Sequence, residues 1–204
     1  MKPVLLLAVC ILMLGRASPA SAADPRYPDW PCSQIKVPEL SAAAVWTGPP
    51  IDDVGNTWED DPRIKDLVAR LAARRTPLDD AEKAVADFLA SAAPDKQTKA
   101  KLLFAGLFTT LNRERSVVMN GIERFSQRQQ RVADRIKAEA REMQTLQDTP
   151  NRDEAKVDEL TNAINWDTRI FEDQRRTIGY VCEVPTIIER RLGALARAIQ
   201  QSIE

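Results

Sequence analysis

Four arginines, Arg124, Arg128, Arg131 and Arg135, recur at intervals of four, three and four residues. On a helix this spacing sets four guanidinium groups along one flank. When the chain between residues 95 and 181 is folded back on itself, that flank meets Ala163, Trp166 and Ile170. Trp166 and Ile170 fall outside the apolar seam of their own helix. Arginine beside an uncommitted tryptophan and isoleucine is the composition of a protein-binding hot spot. Arg124, Arg128, Arg131, Arg135, Trp166 and Ile170 are therefore the expected partner-binding residues. The occupant expected there is a protein of the cell envelope or a second copy of the chain; cover by the chain's own proline-rich segment is the alternative. Acids interspersed along the same helix disfavour a membrane-surface role.

Other chemistry is narrowed by what the chain lacks. It contains no histidine. This removes Ser-His-Asp and Cys-His nucleophilic sites, HExxH zinc sites and haem attachment through CxxCH. Seven glycines against 13 prolines make a Gly-rich phosphate loop unlikely to form. Its 29 basic and 30 acidic side chains supply no concentrated basic surface for nucleic acid. Asp52, Asp53, Glu59, Asp60 and Asp61 suggest calcium at first sight. Their order departs from the EF-hand spacing, however, and acids collect at helix N-termini anyway. They are read as a solvated cap, and neither a metal nor a cofactor is expected.

What remains for catalysis is carboxylate, arginine and lysine. Arg115 falls on an expected core position, with Lys101, Arg113 and Glu114 near it, and could line a polar pocket. An all-helical, disulfide-tied exported chain of this size with such residues resembles the secreted chorismate mutases in class, sharing no motif with them. That resemblance implies an all-helical periplasmic enzyme with an Arg/Glu-lined pocket, held as the alternative to a non-enzymatic adaptor. In a helical core, an arginine reaching out to a neighbouring acid is the more usual arrangement.

Cys32 and Cys182 are the expected disulfide. The third cysteine, Cys10, lies inside an apolar run over residues 4–14 that follows Lys2 and precedes Ala20-Ser21-Ala22. Those eleven residues are too few to cross a bilayer, which takes about 20, and the order is that of an export signal over residues 1–22. No cysteine follows the expected cleavage point directly, so a lipid anchor is not expected. Export, most simply to a periplasm, places the other two cysteines where bridges form.

These residues need elements to position them. Residues 23–59 contain Pro25, Pro28, Pro31, Pro38, Pro49 and Pro50 interleaved with Trp30, Trp46 and Trp58. Proline at that density forbids long helices, while tryptophans bury large areas, so an extended arm lying on a helical body is expected. The helical domain covers 60–204. Asp61-Pro62 and Thr76-Pro77 are read as helix starts, giving helices over about 62–75 and 77–92. A third helix of about 95–148 carries a heptad with position d at Phe104, Leu111, Val118, Phe125, Val132, Glu139 and Leu146. Position a holds Phe108, Arg115, Ile122, Gln129, Ile136 and Met143. That is a coiled-coil signal. Thr149-Pro150-Asn151 makes the turn, with Asn151 to Glu154 spaced as a capping box. A fourth helix repeats the heptad through Val157, Leu160, Ile164, Asp167, Phe171, Gln174, Ile178 and Val181, and Pro185 predicts a kink or break between Val181 and Thr186. Pairing the two seams in opposite directions sets Gln129 beside Gln174 without being asked to. The expected fold is all-α: a four-helix body extended by a long antiparallel coiled-coil hairpin, its arm over about 120–180, with the proline- and tryptophan-rich segment N-terminal to it.

Overall fold

The computed structural model describes residues 24–204, so the expected export signal over residues 1–22 lies outside the described residues. The chain is all-helical, and no strand occurs among the described residues. Four helices follow one another: α1 (Pro62–Ala72), α2 (Leu78–Ala90), α3 (Lys96–Gln147) and α4 (Glu154–Ile203). Residues 24–59 hold only two short 3-10 turns, Ala42–Ala44 and Thr57–Asp60.

Local chemistry explains the boundaries. The Asp61 carboxylate accepts from the backbone N–H groups of Arg63 and Ile64, and Pro62 occupies the first helical position of α1. The helix ends at Ala72, three residues before the expected stop, where Ala73 turns extended. Thr76 does not cap α2. Its hydroxyl donates instead to the Arg70 carbonyl at 2.9 Å, closing the end of α1, and α2 begins at Leu78 without a side-chain cap. The capping box at Asn151 is also absent. Asn151 takes a left-handed conformation with φ 59° that reverses the chain. Asp153, immediately before the first helical residue, accepts from the N–H groups of Ala155 and Lys156. A carboxylate one residue from the helix reaches those groups; an amide three residues away does not.

Of the kink or break expected at Pro185, the break does not occur, for α4 continues through it. A proline in a helix interior removes one N–H and crowds the carbonyl of residue i−4, at about 3 kcal/mol. Here the flanking turns are held from outside. Cys182 is bonded to Cys32, its carbonyl accepts from the Gln34 amide at 3.3 Å, and Ile188 is fully buried. With both sides anchored, the helix runs through.

The core sits at one end of the long helices. Leu103, Phe104, Leu107 and Leu111 of α3 and Ile188, Leu192, Leu195 and Ile199 of α4 are fully buried together with Ile64 and Leu71 of α1 and Val85 and Leu89 of α2. Trp46 stacks on Phe104, ring centroids 4.2 Å apart. Trp58 and Val68 approach α3 so closely at Gly106 that a Cβ there would stand 2.8 Å from each. Only glycine admits that contact. Between residues 123 and 181 the sole buried side chain is Leu160.

Candidate functional site: the two flanks of the α3–α4 pair

Cross-helix bonds fix how α3 and α4 lie. Arg115 Nε donates to Glu189 Oε1 at 2.5 Å, the Gln129 amide donates to Gln174 Oε1, and Arg135 Nε donates to Asp167 Oδ2 at 2.5 Å. Residue numbers rise on one helix as they fall on the other, so the two run in opposite directions. The seam residues Phe125, Val132, Ile136, Met143 and Leu146 on α3 and Val157, Ile164, Phe171 and Ile178 on α4 are each half-buried. Two helices without a third neighbour leave most of their seam partly open to water.

The two flanks of the seam differ. One carries the N-terminal segment. Asp29 accepts from the Gln127 amide at 2.7 Å, Lys36 pairs with Glu123 at 2.5 Å, the Pro38 carbonyl accepts from Arg115 at 3.3 Å, and the Leu40 N–H donates to Asn112 at 3.5 Å. The Cys32–Cys182 disulfide ties the same segment to α4, with Cα atoms 5.6 Å apart. Asn112, Glu123, Gln127 and Cys182 occupy heptad positions b, e and f, all to one side of a and d. Arg115 therefore meets a neighbouring acid, as expected of an arginine in a helical core, but does so beneath the segment rather than in open water. It is 3% exposed, engaged by Glu189 on one side and by the segment on the other.

Arg124, Arg128, Arg131 and Arg135 stand at positions c and g, on the other flank, and so do Trp166 and Ile170. The N-terminal segment consequently does not cover them. Trp166 is 65% exposed and Ile170 half-buried. Three further apolar side chains line this flank: Val117 at 61%, Tyr180 at 77% and Ile187 at 46% exposure. Sequence reasoning passed over them, although Tyr180 and Ile187 follow Trp166 by two and three heptads and Val117 precedes Arg124 by one. Of the four arginines, Arg135 is committed to Asp167, and the pairing holds that carboxyl below its usual range. Arg128 lies over the Phe125 ring at 5.9 Å. Arg124, Arg128 and Arg131 take part in no ion pair among the described residues.

The other sequence candidates are dispersed. Asp53 pairs with Lys101 at 2.6 Å, Asp61 caps α1 and pairs with Lys99 at 2.7 Å, and Glu59 faces Lys65 at 3.9 Å. Among the described residues no three Cys, Asp or Glu groups gather closely enough to hold a metal ion. A cleft of about 720 Å³ opens between α1 and α2, with Leu67, Leu71, Ala84 and Phe88 beneath a rim that includes Arg63, Arg70 and Asp87. It lies apart from Arg115. Among the described residues no helix is long and apolar enough to cross a membrane.

The fold and flank define an all-helical chain with one occupied and one unoccupied side to its long helix pair. No protein-family model matches it, and no curated protein or solved structure matches it either.

Proposed function

We propose that the chain is an exported, non-enzymatic adaptor, assembly or accessory subunit of a cell-envelope complex. In this reading the α3–α4 pair is a coiled-coil hairpin arm projecting from a four-helix body. The proline- and tryptophan-rich segment straps its inner flank, and the outer flank docks the partner. One observation carries the reading: among the described residues Val117, Trp166, Tyr180 and Ile187 share an uncovered flank with three arginines that form no ion pair. Large apolar side chains left in water on one side of a helix pair are a cost unless a partner covers them. The disulfide agrees with an exported chain, since such bonds persist in oxidising compartments.

The test is photo-cross-linking in the native envelope. A benzoylphenylalanine at Thr177, on the outer flank, should form a discrete adduct, and one at Gln127, under the strap, should not. Deleting residues 124–176 and rejoining the helices by a short loop should abolish the associated phenotype. Absence of any adduct at Thr177, or a normal phenotype after the deletion, overturns the docking reading. Mass spectrometry checks location: the exported chain should begin at Ala23 or Asp24.

A further inference from the structure

We infer that the outer flank is built to receive an acidic amphipathic helix, which lies along the groove between α3 and α4 as a third strand of the pair. The inference rests on the docking reading and adds the chemistry of the partner.

Shape comes first. The exposed groups follow the heptad on both helices, with Val117, Arg124 and Arg131 at seven-residue steps on α3 and Trp166, Tyr180 and Ile187 at multiples of seven on α4. The α3 row, from Val117 to Arg135, extends about 27 Å at 1.5 Å per residue. A straight, seven-residue repeat of this length is matched by another helix, whose own side chains recur at the same interval. The half-buried seam has room for it. Phe125, Phe171 and Ile178 would lose their remaining contact with water if a third helix lay beside them.

Charge then selects the helix. Arg124, Arg128 and Arg131 stand without carboxylate partners among the described residues, and the acid on the facing row, Asp173, is held by Arg176 at 3.5 Å. The flank therefore presents three uncompensated positive charges along one edge and an apolar row along the other. A second copy of the chain meeting this flank with its own would bring further arginines into it, and like charges across an interface are costly. A lipid surface would need a broad apolar sector, whereas here Asp173, held in an intrahelical ion pair with Arg176, interrupts the row between Trp166 and Tyr180. A helix with an apolar stripe and glutamates or aspartates along one side satisfies both rows. Planar guanidinium groups bind carboxylates in two-point contacts.

Two designed peptides, each about four heptads long with leucine at a and d, test this. One carries glutamate at e and g, the other lysine. Full-length protein with its disulfide intact is titrated against each by fluorescence anisotropy. The glutamate peptide should bind, cross-link to benzoylphenylalanine at Thr177, and weaken as salt rises. The triple variant Arg124→Glu, Arg128→Glu, Arg131→Glu should bind it at least tenfold more weakly and should gain affinity for the lysine peptide. Equal binding of the two peptides overturns the inference, as does an unaffected triple variant. So does a concentration-dependent dimer that this variant converts to monomer, or binding to phosphatidylglycerol vesicles that the glutamate peptide fails to compete. In the envelope, an adduct at Thr177 that persists in the triple variant leaves docking standing and rejects the acidic helix. Loss of the adduct in the unmutated protein rejects docking itself.

Discussion

The same two helices live in two environments. From residue 100 to 122 on α3 and from 182 to 199 on α4 they meet α1, α2 and the tryptophans, and their seam residues are buried except for the partly buried Phe108 and Val118. From 123 to 181 they meet mainly each other; the seam there also holds Gln129, Glu139, Asp167 and Gln174, and apart from buried Leu160 and exposed Val181 its apolar residues stay half-buried. The heptad runs through both stretches, but the distal one carries more polar seam residues and has fewer neighbours. Stability therefore concentrates at the body end. The distal stretch keeps less apolar contact, and its outer flank leaves Trp166 and Tyr180 largely in water.

The largest expected effect is on the link between the two regions. The Cys32–Cys182 bond closes 150 residues and clamps the strap where body gives way to distal pair. Loop-closure entropy puts the loss for Cys32→Ser with Cys182→Ser at roughly 4–5 kcal/mol as an upper value, read from chemical denaturation. Hydrogen exchange should show the strap and residues 112–127 opening first. A loss under about 0.5 kcal/mol, within the range of ordinary surface changes, would mean that packing alone holds the strap.

Next come matched truncations. Leu192→Ala in the body should cost about 2–5 kcal/mol, since Leu192 is fully buried. Ile164→Ala, at an equivalent heptad position in the distal pair but half-buried, should cost about half as much or less, because the space it leaves is open to water. Equal losses would show that the distal seam is as tightly packed as the core and would undo the contrast between the regions.

A third test concerns the glutamine layer. Gln129 and Gln174 meet across the distal seam, where a polar pair fixes register at some expense of stability. Changing both to leucine should raise the melting temperature by a few degrees, consistent with a gain of about 1 kcal/mol, and should broaden register. Cross-linking between cysteines placed at 125 and 178 reads the register. A double variant that is less stable, with cross-linking unchanged, would deny the layer this role.

The body's architecture was legible wherever a residue acts on its immediate neighbours. Asp61-Pro62 announces α1, and the periodicity of Phe104, Leu111, Ile188 and Leu195 announces the buried face. The glutamine pairing was legible because register follows from two seams of fixed period. What escaped were outcomes of competition. Thr76 could cap α2 or close α1, and a nearby carbonyl of Arg70 decided it. Pro185 should break a helix in isolation, yet a disulfide three residues earlier and a core isoleucine three residues later hold it. The candidate site was half legible. The arginine row and Trp166 stand out by composition, whereas Val117, Tyr180 and Ile187 become part of it only once the strap is known to lie on the opposite flank.

The smallest effect distinguishes the regions by pH. Asp61 in the body is held below the ordinary carboxylate range first by Lys99 and then by the α1 backbone N–H groups. Asp167 in the distal pair is held low by Arg135. A carboxyl whose folded pKa is depressed stabilises the fold above its unfolded value, near 3.9, and that contribution disappears as pH falls through the folded value. Both contributions are thus present at pH 6 and fade below about pH 4. The difference in stability between the native chain and Asp61→Asn should be larger at pH 6 than at pH 2.5, measured as global unfolding. For Asp167→Asn the same narrowing should appear in hydrogen exchange of residues 128–140, with global unfolding barely moved, because the distal pair can open without the body. If Asp167→Asn shifts global unfolding as much as Asp61→Asn does, the long helices melt as one unit, and the division between a stabilising end and a separately opening end is lost.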